Sequence, residues 1–332
     1  MKYLRAISAF IAASVAISVT CAGQTPDYSE YILTPKAPAT PRINGPRVYG
    51  QSPDVDFLFK IPASGERPMT FSAKGLPKGL KLDPETGIIS GRARKAGSYN
   101  VTLTATNSLG SDSKPLRLEI GEDKLLLTPP MGWSSWNCFG NTISQEHAEA
   151  MAKAFIDLGL DQYGWSYINL DDGWQYDRGG KYNAIMPNSK FPDMMGLSDY
   201  IHSLGLEFGI YSGPWLGTYA GHIGETSDNP EGRAWWVEQG ACDEHHKVDR
   251  DVVPRDSLWR FEPYHFELQD AKQWAEWKVD YMKYDWNPND HYNVRIMSEA
   301  LRATGRDIVY SISNSSKVAM GDYLRRYANC WR

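Results

Sequence analysis

The chain has 332 residues and a formal net charge of −5, with 42% hydrophobic and 23% charged residues. This length is enough to bury the cores of two domains, and the composition is that of an ordinary globular protein. Because the net charge is negative and no basic run occurs, the sequence argues against nucleic acid as a partner. The unusual feature is the aromatic content, 12 tryptophans and 19 tyrosines, side chains that fill cores and also pack against sugar rings.

Residues 1–23 are predicted to be a secretory signal peptide. Two basic residues precede an apolar run at 6–19, which is too short to cross a membrane, and small residues follow it. We therefore expect an exported protein, periplasmic or secreted, with no transmembrane segment in the mature chain. Lipid attachment through Cys21 is less favoured, because Thr20 fits a lipid-attachment motif poorly. Three cysteines would remain after cleavage, so disulfides are not expected to form the scaffold.

Residues 24–51, rich in proline and polar residues, are predicted to form an extended lead-in. Residues 52–122 contain short segments in which apolar and polar residues alternate, and turns with proline and glycine separate these segments. This pattern is typical of a small β-sandwich. Five strands are predicted in it, at residues 55–61, 69–73, 87–93, 98–106 and 116–120. This domain shows no cluster of catalytic side chains, and a spacer is its simplest role.

Residues 128–332 alternate between predicted strands and helices. Six apolar strands are expected to begin near residues 131, 166, 206, 279, 307 and 328. The first helix, from Gln145 to Leu158, is preceded by Thr142, which is spaced from Gln145 as in a capping box. Such repeats favour a parallel α/β sheet, for which the (β/α)8 TIM barrel is the natural closure. A doubly wound open sheet is the alternative, but no glycine-rich phosphate turn follows the first strand.

A barrel of this kind has eight strands, and only six are predicted here. We therefore expect the chain to be part of a longer protein. A charged insertion at 222–262 contains Trp235, Trp236 and Trp259, which either line outer sugar subsites or pack the insertion down. Its acidic and histidine residues at 243–246 are interpreted as a solvated loop, so we expect no metal and no cofactor.

Candidate functional residues follow all six predicted strands. In chain order they are Trp136, Asp171 with Asp172, Tyr211, Lys283 with Asp285, Ser313, and Arg332. Because the carboxyl ends of barrel strands meet at one face, these side chains are predicted to converge. Any one of them has a structural explanation, since an aspartate after a strand often caps a helix and a Lys-x-Asp pair is often an ion pair. Six consecutive strand ends with such residues indicate a site.

The chemistry that this set predicts is cleavage of a glycosidic bond. Asp171 and Asp172 can accept hydrogen bonds from sugar hydroxyls, while the aromatic residues after strands one and three can pack against the ring. Lys283 would keep Asp285 ionised, and an ionised carboxylate is the nucleophile of a retaining glycosidase. The second carboxyl, expected about 5–5.5 Å away, has no strong candidate among the strand ends.

Five ordered motifs resemble glycoside hydrolase family 27, the α-galactosidases and their relatives. They are PPMGWSSWNCFG (129–140), YINLDDGW (167–174), GLEFGIYSG (205–213), FELQDAKQWAEWKVDYMKYDW (266–286) and ANCWR (328–332). The tract at 75–110 likewise resembles the Ig-like domain found ahead of many bacterial glycosidases. The resemblance implies a retaining exo-glycosidase on a (β/α)8 barrel, without a cofactor, that acts on carbohydrates with terminal α-galactosyl residues.

The resemblance also implies a role for each residue by position. Asp285 matches the nucleophile, and Lys283 matches its neighbour that binds sugar hydroxyls. Asp171 and Asp172 match the pair that reads the 4- and 6-hydroxyls. The other matches are substrate contacts, namely Trp136, Tyr211 and, near the 2-hydroxyl, Arg332. The acid/base aspartate of the family follows that arginine by a few residues, so it would lie beyond this chain, and the 332-residue chain itself is expected to be inactive.

Two departures from the family pattern affect the expected substrate. Many relatives have a disulfide where this chain has Tyr219 and Asn287. After strand five, galactosidases often have Cys-Glu-Trp, whereas this chain has Ile-Ser-Asn at 312–314. The small side chains of Ser313 and Ser316 leave room at the sugar 2-position. An α-N-acetylgalactosaminidase is therefore the alternative to an α-galactosidase.

Three further alternatives stay open at this point. A β-L-arabinopyranosidase is disfavoured because its sugar lacks the 6-hydroxyl arm, and the chain keeps both Asp171 and Asp172. A non-catalytic sugar-binding fragment would keep the pocket without the chemistry. A structural adhesin built around the Ig-like module would need neither the pocket nor the chemistry.

Overall fold

The structure is a computed structural model that describes residues 36–314 and 316–332. The predicted signal peptide and residues 24–35 of the predicted lead-in lie outside the described residues. Residues from Pro38 to Arg332 form one compact unit, and the features below all belong to it.

The first part of this unit is a β-sandwich. Its strands, in chain order, are β1 (Arg42–Ile43), β2 (Val48–Gln51), β3 (Phe57–Lys60), β4 (Ala63–Ser64), β5 (Thr70–Lys74), β6 (Leu80–Leu82), β7 (Ile88–Gly91), β8 (Gly97–Asn107) and β9 (Gly110–Ile120). One sheet has the order β2-β9-β8-β5, another has the order β3-β7-β6, and β1 pairs with β4. On β8, Val101, Leu103 and Ala105 are buried, because alternate residues of a strand face the same side.

Strands β1 and β2 fall inside the segment that was predicted to be an extended lead-in. Residues 48–51 pair in parallel with β9, and residues 42–43 pair with β4. These strands are short and flanked by Pro41 and Pro46, so they lack the alternating pattern by which longer strands are recognised. The segment from residue 42 is therefore part of the sandwich rather than a leader to it.

The second part is an α/β domain. Its strands are β10 (Gly132–Ser134), β11 (Tyr167–Asn169), β12 (Gln175–Gly179), β13 (Ala184–Pro187), β14 (Glu207–Ser212), β15 (Thr226–Ser227), β16 (Tyr264–His265), β17 (Tyr281–Tyr284), β18 (Val309–Ile312) and β19 (Cys330–Trp331). Its helices are α1 (Trp136–Phe139), α2 (Gln145–Asp157), α3 (Met194–Ser203), α4 (Trp235–Glu238), α5 (Glu267–Glu276), α6 (His291–Ala303) and α7 (Gly321–Tyr327).

Six of these strands form one parallel sheet in the order β10-β11-β14-β17-β18-β19. This order follows the chain, as in a TIM barrel, and the predicted fold is confirmed as the greater part of such a barrel. Within the described residues, β10 and β19 are the edges of the sheet. The pairs β12–β13 and β15–β16 form two-stranded antiparallel sheets outside it.

Helix α2 shows how local sequence sets an element of the barrel. Its buried residues Ala148, Ala152 and Phe155 recur at helical spacing and pack into the core. The N-cap is Ser144, whose hydroxyl accepts the backbone N–H of His147. The predicted capping box was wrong, because Thr142 ends a 3-10 turn at 140–142 and donates its hydroxyl to the carbonyl of Phe139.

The sandwich lies against the amino ends of the barrel strands. Lys60 forms an ion pair with Asp161, with Nζ 2.7 Å from Oδ2. The hydroxyl of Tyr49 lies 3.0 Å from Glu207 Oε1 at the start of β14. Polar contacts thus fix the sandwich to the bottom of the barrel, and a cavity of about 420 Å³ lies at this junction. No helix in the described part of the chain is long and apolar enough to cross a membrane.

Candidate active site

Side chains of three neighbouring strands point into the interior of the barrel. Tyr211 on β14, Lys283 on β17 and Ser311 on β18 are aligned in the sheet register, so they lie on one face. The residues that alternate with them, such as Ile210 and Met282, are fully buried in the core. The ammonium of Lys283 lies 4.9 Å from the centre of the Tyr211 ring, a cation–π distance. The lysine is therefore held over an aromatic face in the interior.

Lys283 also lies between two carboxylates. Its Nζ is 2.8 Å from Asp171 Oδ2 and 3.8 Å from Asp285 Oδ2. The side chains of Lys283 and Asp285 are partly exposed, whereas that of Asp171 is almost fully buried. One cation thus joins the ends of β11 and β17, with the shorter contact to Asp171.

Two serines after the first barrel strand position Asp171. The hydroxyl of Ser134 donates to Asp171 Oδ2 at 3.1 Å, and the hydroxyl of Ser135 accepts the backbone N–H of Asp171 at 2.8 Å. Asp171 Oδ1 in turn accepts the backbone N–H of Asp172 at 2.9 Å. Both serines stand between the tryptophans of the PPMGWSSWNCFG motif, yet neither was among the predicted site residues.

Asp172 is held by the loop that follows β14. Only 1% of the residue is exposed, and its two oxygens accept hydrogen bonds from the Thr218 hydroxyl and the Ala220 N–H, each at 2.8 Å. Burial raises the pKa of Asp172 to about 7, although these two donors oppose the shift. Thr218 and Ala220 were not identified from the sequence. The glycine-rich stretch that contains them is the one sequence feature that could have pointed to them.

Tyr211 is fully enclosed beneath the lysine. The indole N–H of Trp174 and the side-chain amide of Gln175 both donate to the Tyr211 carbonyl, at 2.9 and 3.3 Å. Burial, followed by the charges of Asp172 and Asp285, raises the pKa of the Tyr211 hydroxyl well above its ordinary value. That hydroxyl is buried without a hydrogen-bond partner among residues 36–314 and 316–332. Tyr211 therefore stays neutral and has one unused donor.

Ser313 shares the interior-facing side of its strand with Ser311. Its backbone N–H donates to the carbonyl of Tyr284 at 3.0 Å, and only 1% of the residue is exposed. Within the described part of the chain its hydroxyl has no partner. Like Tyr211, it brings an unsatisfied polar group to the carboxyl ends of the strands.

The two remaining predicted site residues are not joined to this cluster by a direct contact. Trp136 is the first residue of α1 and is 41% exposed. Arg332 is exposed after β19, and its charge opposes the rise in the pKa of Tyr281 and Cys330. The structure thus brings together Asp171, Asp172, Tyr211, Lys283 and Asp285, and the role of every predicted site residue stays a prediction.

The described residues contain no group of three or more His, Cys, Asp or Glu side chains that could hold a metal ion. The expectation that no metal or cofactor is needed stays a prediction. Cys138, Cys242 and Cys330 are free thiols. The site consists of carboxylates, a cation, hydroxyls and aromatic rings, which are groups that bind and activate neutral polyhydroxyl molecules.

Comparison with known proteins agrees with both parts of the fold. Residues 128–235 and 261–332, more than half of the chain, match the family model described as "Alpha galactosidase A". Residues 31–121 match the model described as "Putative Ig domain". Residues 236–260, which lie between the two segments matched by the α-galactosidase model, are not matched by it.

Individual relatives carry the same description. The chain is 32% identical to "Alpha-galactosidase" of Coffea arabica over 62% of this chain and 46% of that protein. It is 31% identical to "Alpha-galactosidase A" of Cellvibrio japonicus over 63% of this chain and 44% of that protein. A Bacteroides fragilis crystal structure described as a "putative alpha-galactosidase" superposes with a TM-score of 0.74 at 37% identity, covering 91% of this chain and 58% of that one.

The chain spans about half the length of the curated relatives that it matches. The family match nevertheless includes β10, β11, β14, β17, β18 and β19, and with them every residue of the carboxylate cluster. The chain belongs to glycoside hydrolase family 27, the family of the α-galactosidases.

Proposed function

We propose that the protein is a retaining exo-acting α-galactosidase that releases terminal α-linked galactose from oligo- or polysaccharides. Asp285 is its nucleophile. Asp171, Asp172 and Lys283 bind the galactose hydroxyls, with further contacts from Trp136, Tyr211, Ser313 and Arg332. The names of the relatives support the reaction class, and the geometry of this chain supports the assignment of roles.

The observation that carries the proposal is the position of Lys283 between Asp171 and Asp285. A nucleophile must reach the anomeric carbon, and an ammonium beside it can donate hydrogen bonds to the sugar hydroxyls. Asp285 has this ammonium at 3.8 Å but keeps a partly exposed side chain. It can therefore approach an anomeric carbon.

Asp171 and Asp172 are less suited to attack or to proton donation. Asp171 already accepts from Lys283, Ser134 and the N–H of Asp172. Asp172 is buried, and both of its oxygens accept bonds from the loop after β14. Groups held in this way orient a substrate through their remaining lone pairs.

The reaction proceeds in two displacements. In the first, an oxygen of Asp285 bonds to the anomeric carbon while the glycosidic bond breaks, and a second carboxyl group protonates the departing oxygen. In the second, that group takes a proton from water, the water oxygen attacks the anomeric carbon, and the ester to Asp285 breaks. Galactose leaves with its α-configuration, and both carboxyl groups return to their starting forms.

Covalent trapping tests this proposal. The protein expressed from its complete reading frame is incubated with a fluorinated α-galactosyl fluoride, digested, and mapped by mass spectrometry. The fluorinated sugar slows hydrolysis of the ester, so we expect one added galactosyl mass on the peptide that contains Asp285. The Asp171→Asn variant, which keeps the nucleophile, is the matched control and should still be labelled. A label on any other residue, or labelling of Asp285→Asn, contradicts the assignment.

A second candidate is an α-N-acetylgalactosaminidase, and the observation that favours it is the buried hydroxyl of Ser313, which has no partner among the residues that the structure describes. The adjoining Ser316 donates its hydroxyl to Asn289 at 2.7 Å and so turns toward the protein. Initial rates on aryl α-galactoside and aryl α-N-acetylgalactosaminide, measured side by side, separate the two activities. A higher kcat/KM for the N-acetyl sugar would establish the second candidate.

A further inference from the structure

The stretch that the family model does not match, residues 236–260, is fixed to the loop after β14 through the main chain. Leu216 N–H donates to the carbonyl of Arg260 at 2.9 Å, and Gly217 N–H donates to that of Leu258 at 3.0 Å. Val248 N–H donates to the carbonyl of Gly221 at 2.7 Å. Residues 236–260 therefore support loop 213–221 along most of its length.

Loop 213–221 borders the candidate active site. At its start, Gly213 lies so close to the strand of the nucleophile that a Cβ there would be 2.6 Å from the carbonyl oxygen of Asp285. Near its end, Ala220 N–H donates to Asp172. Tyr219 immediately precedes Ala220, so it belongs to the segment that holds Asp172.

An aromatic cluster joins this loop to the insertion. The rings of Trp215 and Trp259 are stacked with centroids 5.8 Å apart, and the Tyr219 ring lies edge-on to both, at 5.2 Å and 5.0 Å. Trp215 is buried, whereas Tyr219 and Trp259 are partly exposed. The cluster thus has a buried base and two rings that reach solvent.

Charged groups lie next to the two partly exposed rings. The Asp285 charge adds to burial in raising the pKa of the Tyr219 hydroxyl, which agrees with a ring close to the nucleophile. Arg255 of the insertion lies 5.5 Å from the centre of the Trp259 ring, and Arg250 donates to the Tyr219 carbonyl at 3.0 Å. The first contact restrains the Trp259 ring, and the second restrains the backbone of Tyr219.

We propose that Tyr219 and Trp259 form a platform that binds the sugar ring to which a terminal α-galactosyl residue is linked. The inference rests on the proposed function, and it specifies the substrate as a galactosylated oligo- or polysaccharide rather than a galactoside of a small alcohol. Aromatic rings present flat apolar faces of the size of a pyranose, and their hydroxyl or N–H edges bond its oxygens. The platform therefore selects for a leaving group that is itself a sugar.

The test compares two substrates that share the galactose but differ in the leaving group. α-Galactosyl fluoride has no leaving-group ring, whereas a mannose oligosaccharide with one α-linked galactose presents sugar rings to the platform. For Trp259→Ala and Tyr219→Ala, we expect the ratio of kcat/KM for the oligosaccharide to kcat/KM for the fluoride to fall about 2- to 12-fold, the range of one aromatic contact. Trp259→Phe keeps a ring and should lose less.

Two controls separate a platform from a purely structural role. Trp259→Phe removes the weak indole bond to the Thr218 carbonyl, which is 3.4 Å long. If Trp259 only positions the loop, this variant and Trp259→Ala will lose activity equally on both substrates, and the platform is overturned. Tyr163→Ala, an exposed aromatic at the opposite end of the barrel, should leave the ratio unchanged.

A binding measurement keeps this inference distinct from the proposed function. Calorimetric titration with the same mannose chain lacking galactose reports on the platform without turnover. We expect weaker binding by Trp259→Ala than by wild type, and equal binding would overturn the platform. A wild-type protein that hydrolyses neither substrate but shows this difference contradicts the proposed catalytic activity and leaves the sugar-binding platform established.

Discussion

The two ends of the barrel strands both contain buried charges, but they satisfy them differently. At the amino ends, Asp280 accepts from His202 at 2.6 Å, from Phe208 N–H at 2.8 Å, and from Arg306. Burial alone would raise the pKa of Asp280, yet His202 and Arg306 outweigh it and lower the pKa. The Asp280 carboxylate is therefore enclosed by partners within the protein.

At the carboxyl ends, the same kinds of group are left partly unsatisfied. The hydroxyls of Tyr211 and Ser313 are buried without partners in the described residues, and Lys283 is shared between two carboxylates. Folding normally pairs buried polar groups, so an unpaired set at one face is evidence for a ligand. In this comparison, the incomplete hydrogen bonds around Lys283 mark the candidate site, whereas the complete set around Asp280 marks a structural contact.

The largest expected effect is a loss of activity on substitution at the carboxyl ends of the strands. Asp285→Asn removes the proposed nucleophile, and we expect kcat to fall by at least about 10⁴-fold. The melting temperature should change little, because Lys283 keeps its shorter contact with Asp171. Steady-state kinetics and thermal unfolding of the same sample check both parts. Near-wild-type turnover would remove Asp285 from the mechanism.

The reciprocal change at the amino ends should affect stability and not catalysis. Asp280→Ala leaves His202 and Arg306 without their shared acceptor, and we expect the free energy of unfolding to fall by about 3 kcal/mol. Chemical denaturation measures this loss. The kcat of the protein that remains folded should stay within about twofold of wild type. A large loss of kcat with unchanged stability would mean that the amino ends contribute to the site.

A pH experiment sharpens the comparison, because each end has one acid whose pKa is raised to about 7, Asp172 and Glu207. For Asp172, the folded chain keeps a proton between about pH 4 and 7 that the unfolded chain releases, so stability falls as pH rises through this window and levels off above it. Asp172→Asn removes this component. The stability of this variant relative to wild type should therefore improve with rising pH, by on the order of 4 kcal/mol.

Denaturant unfolding at several pH values checks this slope. Glu207→Gln is the matched variant at the other end, since its pKa is raised mainly by burial and then by Asp280, and the same sign applies. Because the two acids lie at opposite ends of the strands, their effects should add in the double variant. If the free energy of unfolding changed with pH equally in Asp172→Asn and in wild type, ionisation of Asp172 in the folded chain would cost no stability.

The smallest effect concerns the contact between sandwich and barrel. Tyr49→Phe removes the hydroxyl that lies 3.0 Å from both Glu207 Oε1 and the Leu58 carbonyl, and we expect a loss of about 1 kcal/mol. Tyr99→Phe, whose hydroxyl bonds the Lys95 carbonyl at an exposed position, is the control and should lose less. Equal losses would mean that the junction contributes no more than an exposed hydrogen bond.

The sequence predicted the six barrel strands because each is an apolar run that ends in a polar residue, and strand alternation placed Lys283 and Asp285 on one face. It could not predict contacts between distant segments. The bonds from Thr218 and Ala220 to Asp172 depend on how a glycine-rich loop folds back over β11. Of the three tryptophans in the insertion, Trp236 is fully buried and packs, whereas Trp259 meets Tyr219, a separation of forty positions that no local pattern encodes.

The attachment of residues 236–260 to loop 213–221 has an evolutionary consequence. Carbonyl and amide groups are the same in almost every amino acid, so substitutions along this stretch can accumulate while the loop that holds Asp172 stays in place. Under the proposed function, side chains of this stretch can therefore change while the main-chain contacts to the loop are kept. A library restricted to these side chains is expected to alter the preference for the attached sugar more than the binding of galactose.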